Sequence, residues 1–395
     1  MVGVSKTGAT DLPPRFKLGY RPALDGLRGI SILAVLFYHG NVLWWGQGGY
    51  LGVDIFFVLS GFLITSLLVE ESAQTGTISF KNFYMRRALR LLPALILLVA
   101  LSLLFVAIFP PQQGTLPAAK SILVALFYLS NWMPESVYPP LAHTWSLGIE
   151  EQFYIVWPLL FFVFLWLKAS NRSLLLFLFL TISAIAVHRA RLWQSSTGLE
   201  HYMVYYRFDA RTDSLLVGCI AGILVSRNLI PNKKWVFNCI KVLTVIFVAS
   251  MGCLMFALPS SAGFLYFGGF TAIAVMVAVV IVHLFTAPWR ISLLLLEFPL
   301  LKWFGRLSYG LYLWHWPIYS LYPHLFPQFQ LPIKSYTLNL FAPLIIKVVL
   351  TVVVASLSFY FVEQPALKLK KRFSSARRDA ESRLAPCVAT TGEQA

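Results

Sequence analysis

The sequence predicts an all-α fold, a polytopic membrane helix bundle of about ten transmembrane helices, and three observations lead there. The 395 residues are 58% hydrophobic and only 12% charged, against about 25% charged in an average soluble chain. Mean hydropathy is +0.72. Apolar runs of about 20 residues, the length that crosses a bilayer as a helix, recur along the whole chain. So few polar residues cannot cover a solvated α/β domain, which excludes that class.

The runs fall at 27–46, 49–69, 89–109, 146–167, 172–190, 213–226, 235–257, 263–286, 306–325 and 339–362. The stretch 116–132 is apolar but short and ends in Ser130-Asn131-Trp132, so it reads as re-entrant or interfacial. Ten spans leave both termini on one side, and the positive-inside rule says which. With cytoplasmic termini, two of the 32 lysines and arginines (Lys241, Lys347) lie within spans. Six (Lys120, Arg189, Arg191, Arg207, Arg211, Lys334) face outside, which leaves 24 inside. Counting 116–132 as a full span would invert the later loops and lose that asymmetry. The net charge of +16 is thereby assigned to membrane orientation, and no nucleic-acid partner is expected. Residues 1–20 form a polar cytoplasmic arm with no signal-peptide pattern. Residues 368–395 form a basic cytoplasmic tail, expected to be disordered near anionic lipid. The four cysteines, Cys219, Cys239, Cys253 and Cys387, lack metal-ligand spacing; neither a disulfide nor a metal is expected.

Ionisable groups inside spans are costly and usually face a bundle interior or a site. The first span carries three. Arg28 and His39 are eleven residues apart, which brings them to one helix face roughly 16 Å apart. Asp25 joins that stripe at the i, i−3 position. A snorkelling arginine with a satisfied histidine is the plainer alternative. In the second span, Asp54 sits among Gly48, Gly49, Gly52 and Gly61. It either orients a histidine or binds a substrate hydroxyl, or it pairs structurally. Arg87 and Arg90 lie one turn apart at the inner mouth of the third span. That suits a phosphate-bearing cytosolic ligand, or simple positive-inside anchoring. Ser146 and Glu150 share a face at the head of the fourth span, next to Glu151 and Gln152; favourable interaction with the helix dipole is the alternative role for the acids.

Further along, residues 188–212 carry His188, Arg189, Arg191, Arg207 and Arg211 on the outside, against the charge rule. Such a segment either grips an anionic or sugar-rich partner or holds internal ion pairs. Arg211 and Asp213 open the sixth span. Ser308, Tyr312 and His315 follow one helical stripe in the ninth, with His315 at a depth similar to His39. Glu363 ends the tenth span at the inner face, within reach of Arg28 or an arginine of 86–90.

Taken in order, these stretches resemble the bacterial acyltransferase-3 family of integral-membrane O-acyltransferases over about residues 20–367. The resemblance is carried by Arg28-x10-His39 after Leu-Asp-Gly and by Gly-Val-Asp-Ile-Phe-Phe-Val-Leu-Ser-Gly-Phe around Asp54. Arg87-x-x-Arg90 and Trp-Ser-Leu-x-x-Glu-x-Gln-Phe-Tyr around Ser146, Glu150 and Gln152 follow. The series closes with Arg211-x-Asp213, Ser-Tyr-x-x-Tyr-Leu-x-His around His315, and Phe-x-Glu-x-Pro around Glu363. By that resemblance residues 21–367 are expected to be the acyltransferase membrane domain, and a stand-alone form, without the hydrolase-like C-terminal domain that some members carry, is the expectation.

The resemblance implies an acyl-CoA-dependent O-acyltransferase in a bacterial plasma (inner) membrane, multi-pass. It would move an acyl group, acetyl above all, from cytosolic acyl-CoA to a hydroxyl of a cell-surface glycan, lipopolysaccharide or glycolipid precursor. A small secondary metabolite such as a macrolide is the alternative acceptor. His39 is then expected as general base or acyl relay, with Asp54 or Glu150 orienting it. Arg28, Arg87, Arg90 and Glu363 are expected on the CoA side. Asp25, Ser146, Gln152, Arg211, Asp213 and His315 are expected to contact substrate. Two other classes compete: a transporter, which would show inverted repeats with broken helices that the sequence lacks, and a non-catalytic assembly scaffold. Oligomeric state is not legible in the sequence.

Overall fold

A computed structural model describes residues 16–40, 46–111, 114–134, 137–325, 336–369 and 373. Among these there is no β-strand. The helices are α1 (Pro22–Gly40), α2 (Leu51–Thr75), α3 (Phe80–Ile108), α4 (Thr115–Leu126), α5 (Trp145–Trp166), α6 (Asn171–Ser195) and α7 (Leu199–Met203). They continue as α8 (Phe208–Ser226), α9 (Lys234–Ala257), α10 (Gly269–Thr286), α11 (Arg290–Leu296), α12 (Pro299–Leu325), α13 (Tyr336–Ser358) and α14 (Gln364–Leu369). A 3-10 turn (Pro139–Thr144) leads into α5, and a π-turn (Phe359–Glu363) joins α13 to α14.

Among the described residues, seven helical segments are long and apolar enough to cross a bilayer: α2, α3, the 3-10 turn continuous with α5, α6, α9, α10, and the stretch from Phe341 through α14. This is a multi-pass membrane protein. The three remaining expected spans, α1, α8 and α12, are also long helices. They are less apolar: α1 carries Asp25, Arg28 and His39, α8 carries Asp209, Arg211 and Asp213, and α12 carries Lys302, Arg306 and His315 among many tyrosines and tryptophans. α4 has 12 residues, about 18 Å of helix, too short to cross, as expected for 116–132.

Burial sorts the bundle. Of the apolar stretch of α2, 78% is buried, against 6% for α9; α2 lies in the interior with α8, most of whose residues are buried, and α9 lines the rim. Two glycine crossings set the centre. A Cβ on Gly61 of α2 would lie 1.9 Å from the Leu215 carbonyl of α8, and one on Gly218 would lie 2.2 Å from the Val58 carbonyl. At the second crossing, a Cβ on Gly305 of α12 would meet the Asp25 carbonyl of α1 at 1.7 Å. Without a hydrophobic drive between helices in lipid, such small-residue contacts are what permit close association.

One end of the bundle is tied by polar contacts. The Leu18 N–H donates to Glu70 at 3.0 Å, and Arg86 pairs with Glu71 at 2.9 Å. Glu71 also accepts from the Ser79 N–H at 3.0 Å, which closes the α2–α3 turn.

Several expected boundaries shift; the first span, expected at 27–46, is described as Pro22–Gly40, and the sixth, expected from 213, begins at Phe208, so Asp209 and Arg211 are helical. The fifth span, expected at 172–190, is longer: α6 runs to Ser195. His188, Arg189 and Arg191 are therefore helical and not part of a loop. The eighth span was placed from 263, but a 3-10 turn (Gly263–Leu265) precedes α10. Cys219, Cys239 and Cys253 are free. Cys387 and, apart from Phe373, the tail beyond 369 lie outside the described residues.

Candidate active site: an arginine-lined cavity and a histidine cluster

A cavity of about 460 Å³ lies among α1, α2, α3, α5 and α12, bordered by residues 18–20. Arg28, Arg87 and Arg90 all line it, with Glu150, Ser146 and Tyr312. Arg28 comes from α1 and stands 3.8 Å from Asp25, whose other oxygen accepts from the Tyr20 hydroxyl at 2.9 Å. Arg87 lays its guanidinium over the Tyr154 ring at 3.4 Å from the centroid, with Phe83 on a second side at 5.5 Å. Its Nε is buried without a hydrogen-bond partner. Stacking fixes the plane and leaves the N–H edge available to an anion. Arg90 follows one turn later and makes no ion pair within 4 Å among the described residues. Tyr309 ties this wall to α12 by donating to the Leu91 carbonyl at 2.7 Å.

Glu150, on α5, accepts from the Ser60 hydroxyl. Among the described residues it is the one carboxylate lining a cavity that holds three guanidinium groups. Low-dielectric walls strengthen the field of that excess positive charge, so the cavity favours an anionic ligand.

The cavity ends at Ser146 and Tyr312, whose hydroxyls are 2.6 Å apart. Behind them stand three imidazoles. The Tyr312 hydroxyl donates to the His143 carbonyl at 2.9 Å. His315 Nδ1 lies 2.6 Å from the Tyr312 carbonyl oxygen, and its Nε2 lies 3.2 Å from His39 Nδ1. The His143 ring sits 5.2 Å from that of His315, and by hydrogen-bond geometry neither of its ring nitrogens has a partner. Trp316 packs edge-on against His39 at 4.8 Å and is fixed by its indole N–H donating to the Pro139 carbonyl at 2.8 Å. Among the described residues no group of His, Cys, Asp or Glu converges in metal-binding geometry, these three histidines included.

The residues singled out in the sequence thus divide. Arg28, Arg87, Arg90, Ser146 and Glu150 meet at the cavity, and His39 meets His315 just beyond it. Asp54 does not touch His39. It is completely buried between α2 and α8, where it pairs with Arg211 at 2.9 Å and accepts from Ser214 at 3.4 Å. Glu150 does not touch His39 either, so the expected carboxylate orienter is absent from this arrangement. Asp213 pairs with the fully buried Arg189 at 2.8 Å and also accepts from Thr271. A buried guanidinium without its carboxylate would be severely penalised, which explains why these four charges neutralise one another.

Gln152 faces away from the cavity. It accepts from the Asn131 amide and the Trp132 indole, and donates to Asn131 and to the Tyr128 carbonyl, locking the turn after α4 onto α5. Glu363 is buried in the π-turn, accepts from Ser358 at 3.3 Å and makes no ion pair with Arg28 or residues 86–90.

In segment 188–212 the internal-pair reading fits. Besides the buried Arg189, Asp209 takes both Arg207 at 2.6 Å and His188 at 3.0 Å. Burial pushes the Asp209 carboxyl up, but hydrogen bonds from Arg207 and His188 outweigh it and hold the group below the ordinary aspartate value. His143 and Tyr312 have no assigned role in the sequence reading, and Arg189 is read there only as one charge of segment 188–212. His143 stands three residues before Ser146 and Tyr312 three before His315, so helical spacing from chosen residues was the available signal.

The chain matches a family model described as an acyltransferase domain over residues 21–360. It is 34% identical over 369 residues to "Putative peptidoglycan O-acetyltransferase YrhL" of Bacillus subtilis, covering 88% of this chain and 55% of that protein. It is 33% identical over 363 residues to "O-acetyltransferase OatA" of Staphylococcus aureus, covering 88% of this chain and 57% of that protein. The chain therefore spans little more than half the length of these curated relatives. No solved structure matches it.

Proposed function

The chain belongs to the acyltransferase-3 family, and from that premise we propose that it transfers an acyl group, acetyl in the first place, from cytosolic acyl-CoA to a hydroxyl of a cell-surface glycan. Relatives named as O-acetyltransferases support the acetyl group. The name of one supports a peptidoglycan hydroxyl as the first acceptor to test. The single observation that carries the proposal is the arginine-lined cavity ending at Ser146 and Tyr312, with the His39–His315 pair directly behind. Ten crossings with both termini in the cytoplasm would open the arginine end toward cytosolic CoA. The basic-residue asymmetry supports this orientation.

A thioester is already activated, so the site needs a base for the acceptor hydroxyl and donors for the developing oxyanion. Arg87 and Arg90 hold CoA phosphates, and Arg28 guides the pantetheine arm. The roughly 16 Å of helix between Arg28 and His39 is comparable with that arm's reach. His39 takes the proton of the hydroxyl as its oxygen attacks the thioester carbonyl. The Ser146 hydroxyl, 2.6 Å from that of Tyr312, stands where it can turn to donate to the oxyanion while Tyr312 stays bonded to the His143 carbonyl. The tetrahedral intermediate collapses, the C–S bond breaks with its electron pair going to sulfur, and the proton on His39 passes to the departing thiolate. Transfer through N-acylated His39 uses the same imidazole, and a burst of CoA release in the absence of glycan distinguishes that route from direct transfer.

The test is purified chain in liposomes, given acetyl-labelled acetyl-CoA and peptidoglycan fragments. Ester-linked label on the glycan with matching CoA release is expected. Movement of acetyl-CoA or glycan across the bilayer with no label transfer would support the transporter reading instead.

A further inference from the structure

We infer that His315 is the positioning residue that fixes the tautomer of His39, the part a carboxylate plays in other acyl-transfer sites. The inference rests on His39 being the base. A carbonyl oxygen only accepts, so the 2.6 Å contact with Tyr312 O places the proton of His315 on Nδ1. The neutral ring then presents a bare Nε2 to His39 Nδ1 at 3.2 Å. His39 must donate there, because the opposite tautomer would set two lone pairs against each other; the Val35 carbonyl, one turn earlier on α1, is a second acceptor for the His39 ring. The proton of His39 is thereby held on Nδ1, and Nε2 is left bare for a hydroxyl. When Nε2 takes the hydroxyl proton, the Nδ1–H still donates to His315, so the contact survives the step.

No carboxylate competes for this part. Asp54 is committed to Arg211 and Glu150 to Ser60. His315 itself is completely buried, wedged between Tyr312 at 5.3 Å, Tyr319 at 5.9 Å and His143 at 5.2 Å between ring centroids. Its ring is bonded to a carbonyl of its own helix and cannot turn over without losing that bond. A neutral imidazole also avoids burying a second charge deep in a membrane bundle, where an unpaired carboxylate is expensive.

The experiment uses the full chain in nanodiscs with ¹³C,¹⁵N-labelled histidine. There are seven histidines, and the His39 signals are assigned by their loss in His39→Gln. The expected wild-type result is His39 protonated on Nδ1 with bare Nε2. His315→Gln, whose amide can donate to the Tyr312 carbonyl and accept from His39, keeps that tautomer and retains kcat within about tenfold. His315→Phe gives mixed tautomers and lowers kcat by about 10²- to 10⁴-fold, as expected for a wrongly protonated base. KM for acetyl-CoA stays within about twofold, because the cavity arginines are untouched. Wild-type His39 protonated on Nε2 overturns the inference, as does His315→Phe with tautomer and kcat unchanged. If His315→Phe does not fold, the wild-type and His315→Gln spectra still decide. Retained activity in His39→Ala would remove the base assignment alone, since the tautomer readout is independent of catalysis.

Discussion

Asp54→Asn isolates the buried charge network from the reaction. In the native arrangement Asp54 Oδ1 meets Arg211 Nη2 at 2.9 Å with both side chains fully excluded from solvent. Arg211 Nε and Nη1 have no other hydrogen-bond partner, and its guanidinium lies 3.5 Å above the Phe270 ring. Asparagine keeps the shape but removes the counter-charge, so a cation stays buried with a neutral amide beside it. Breaking a buried pair from one side costs about 3–5 kcal/mol, a large share of a typical folding stability of about 5–15 kcal/mol. Thermal unfolding in detergent, followed by tryptophan fluorescence, should therefore show a much lower midpoint. The double variant Asp54→Leu with Arg211→Met, which removes both charges, should recover most of it. Activity per folded molecule should fall far less than stability. A stable Asp54→Asn protein with no acyl transfer would refute this reasoning and return Asp54 to the reaction.

Replacing Arg87 and Arg90 together by Ala should raise KM for acetyl-CoA by about 10- to 100-fold, at about 1.5–3 kcal/mol for charged hydrogen bonds lost, with a smaller change in kcat; steady-state kinetics reads this directly. Gly305→Ala places a methyl 1.7 Å from the Asp25 carbonyl and should cost at least about 1–3 kcal/mol by forcing α1 from α12, seen as a lower unfolding midpoint. Asp209, held below the ordinary 3.8 by Arg207 and His188, contributes stability that is fully present above that value and is lost as pH falls below it. Asp209→Asn should therefore lower the unfolding midpoint slightly at pH 7, by less than about 1 kcal/mol for a solvent-screened pair, and the difference should vanish on acidification.

Much of the site was legible because membrane helices make polar residues conspicuous. Eleven-residue spacing put Arg28 and His39 on one stripe, and the structure turns that stripe toward the cavity and His315. Arg87, Arg90, Ser146 and Glu150 were likewise readable from helical spacing at span ends. What sequence spacing cannot reveal is pairing between helices. Asp54 and Arg211 are 157 residues apart, and only the glycine crossing of α2 with α8 brings them together. Arg189 looked like loop charge because the apolar run fades before α6 ends, whereas the helix continues and buries it against Asp213. Gln152 stands only two residues after Glu150 in sequence, but two helical steps of about 100° each turn it to Asn131 and away from the cavity.

The most direct test of the central claim is acetyl transfer by the His39→Ala variant. Purified wild type and variant, matched for unfolding midpoint and reconstituted alike, are given labelled acetyl-CoA and peptidoglycan fragments. The account predicts loss of glycan labelling in the variant with acetyl-CoA binding preserved. Wild-type rates of labelling from a folded His39→Ala protein would contradict it.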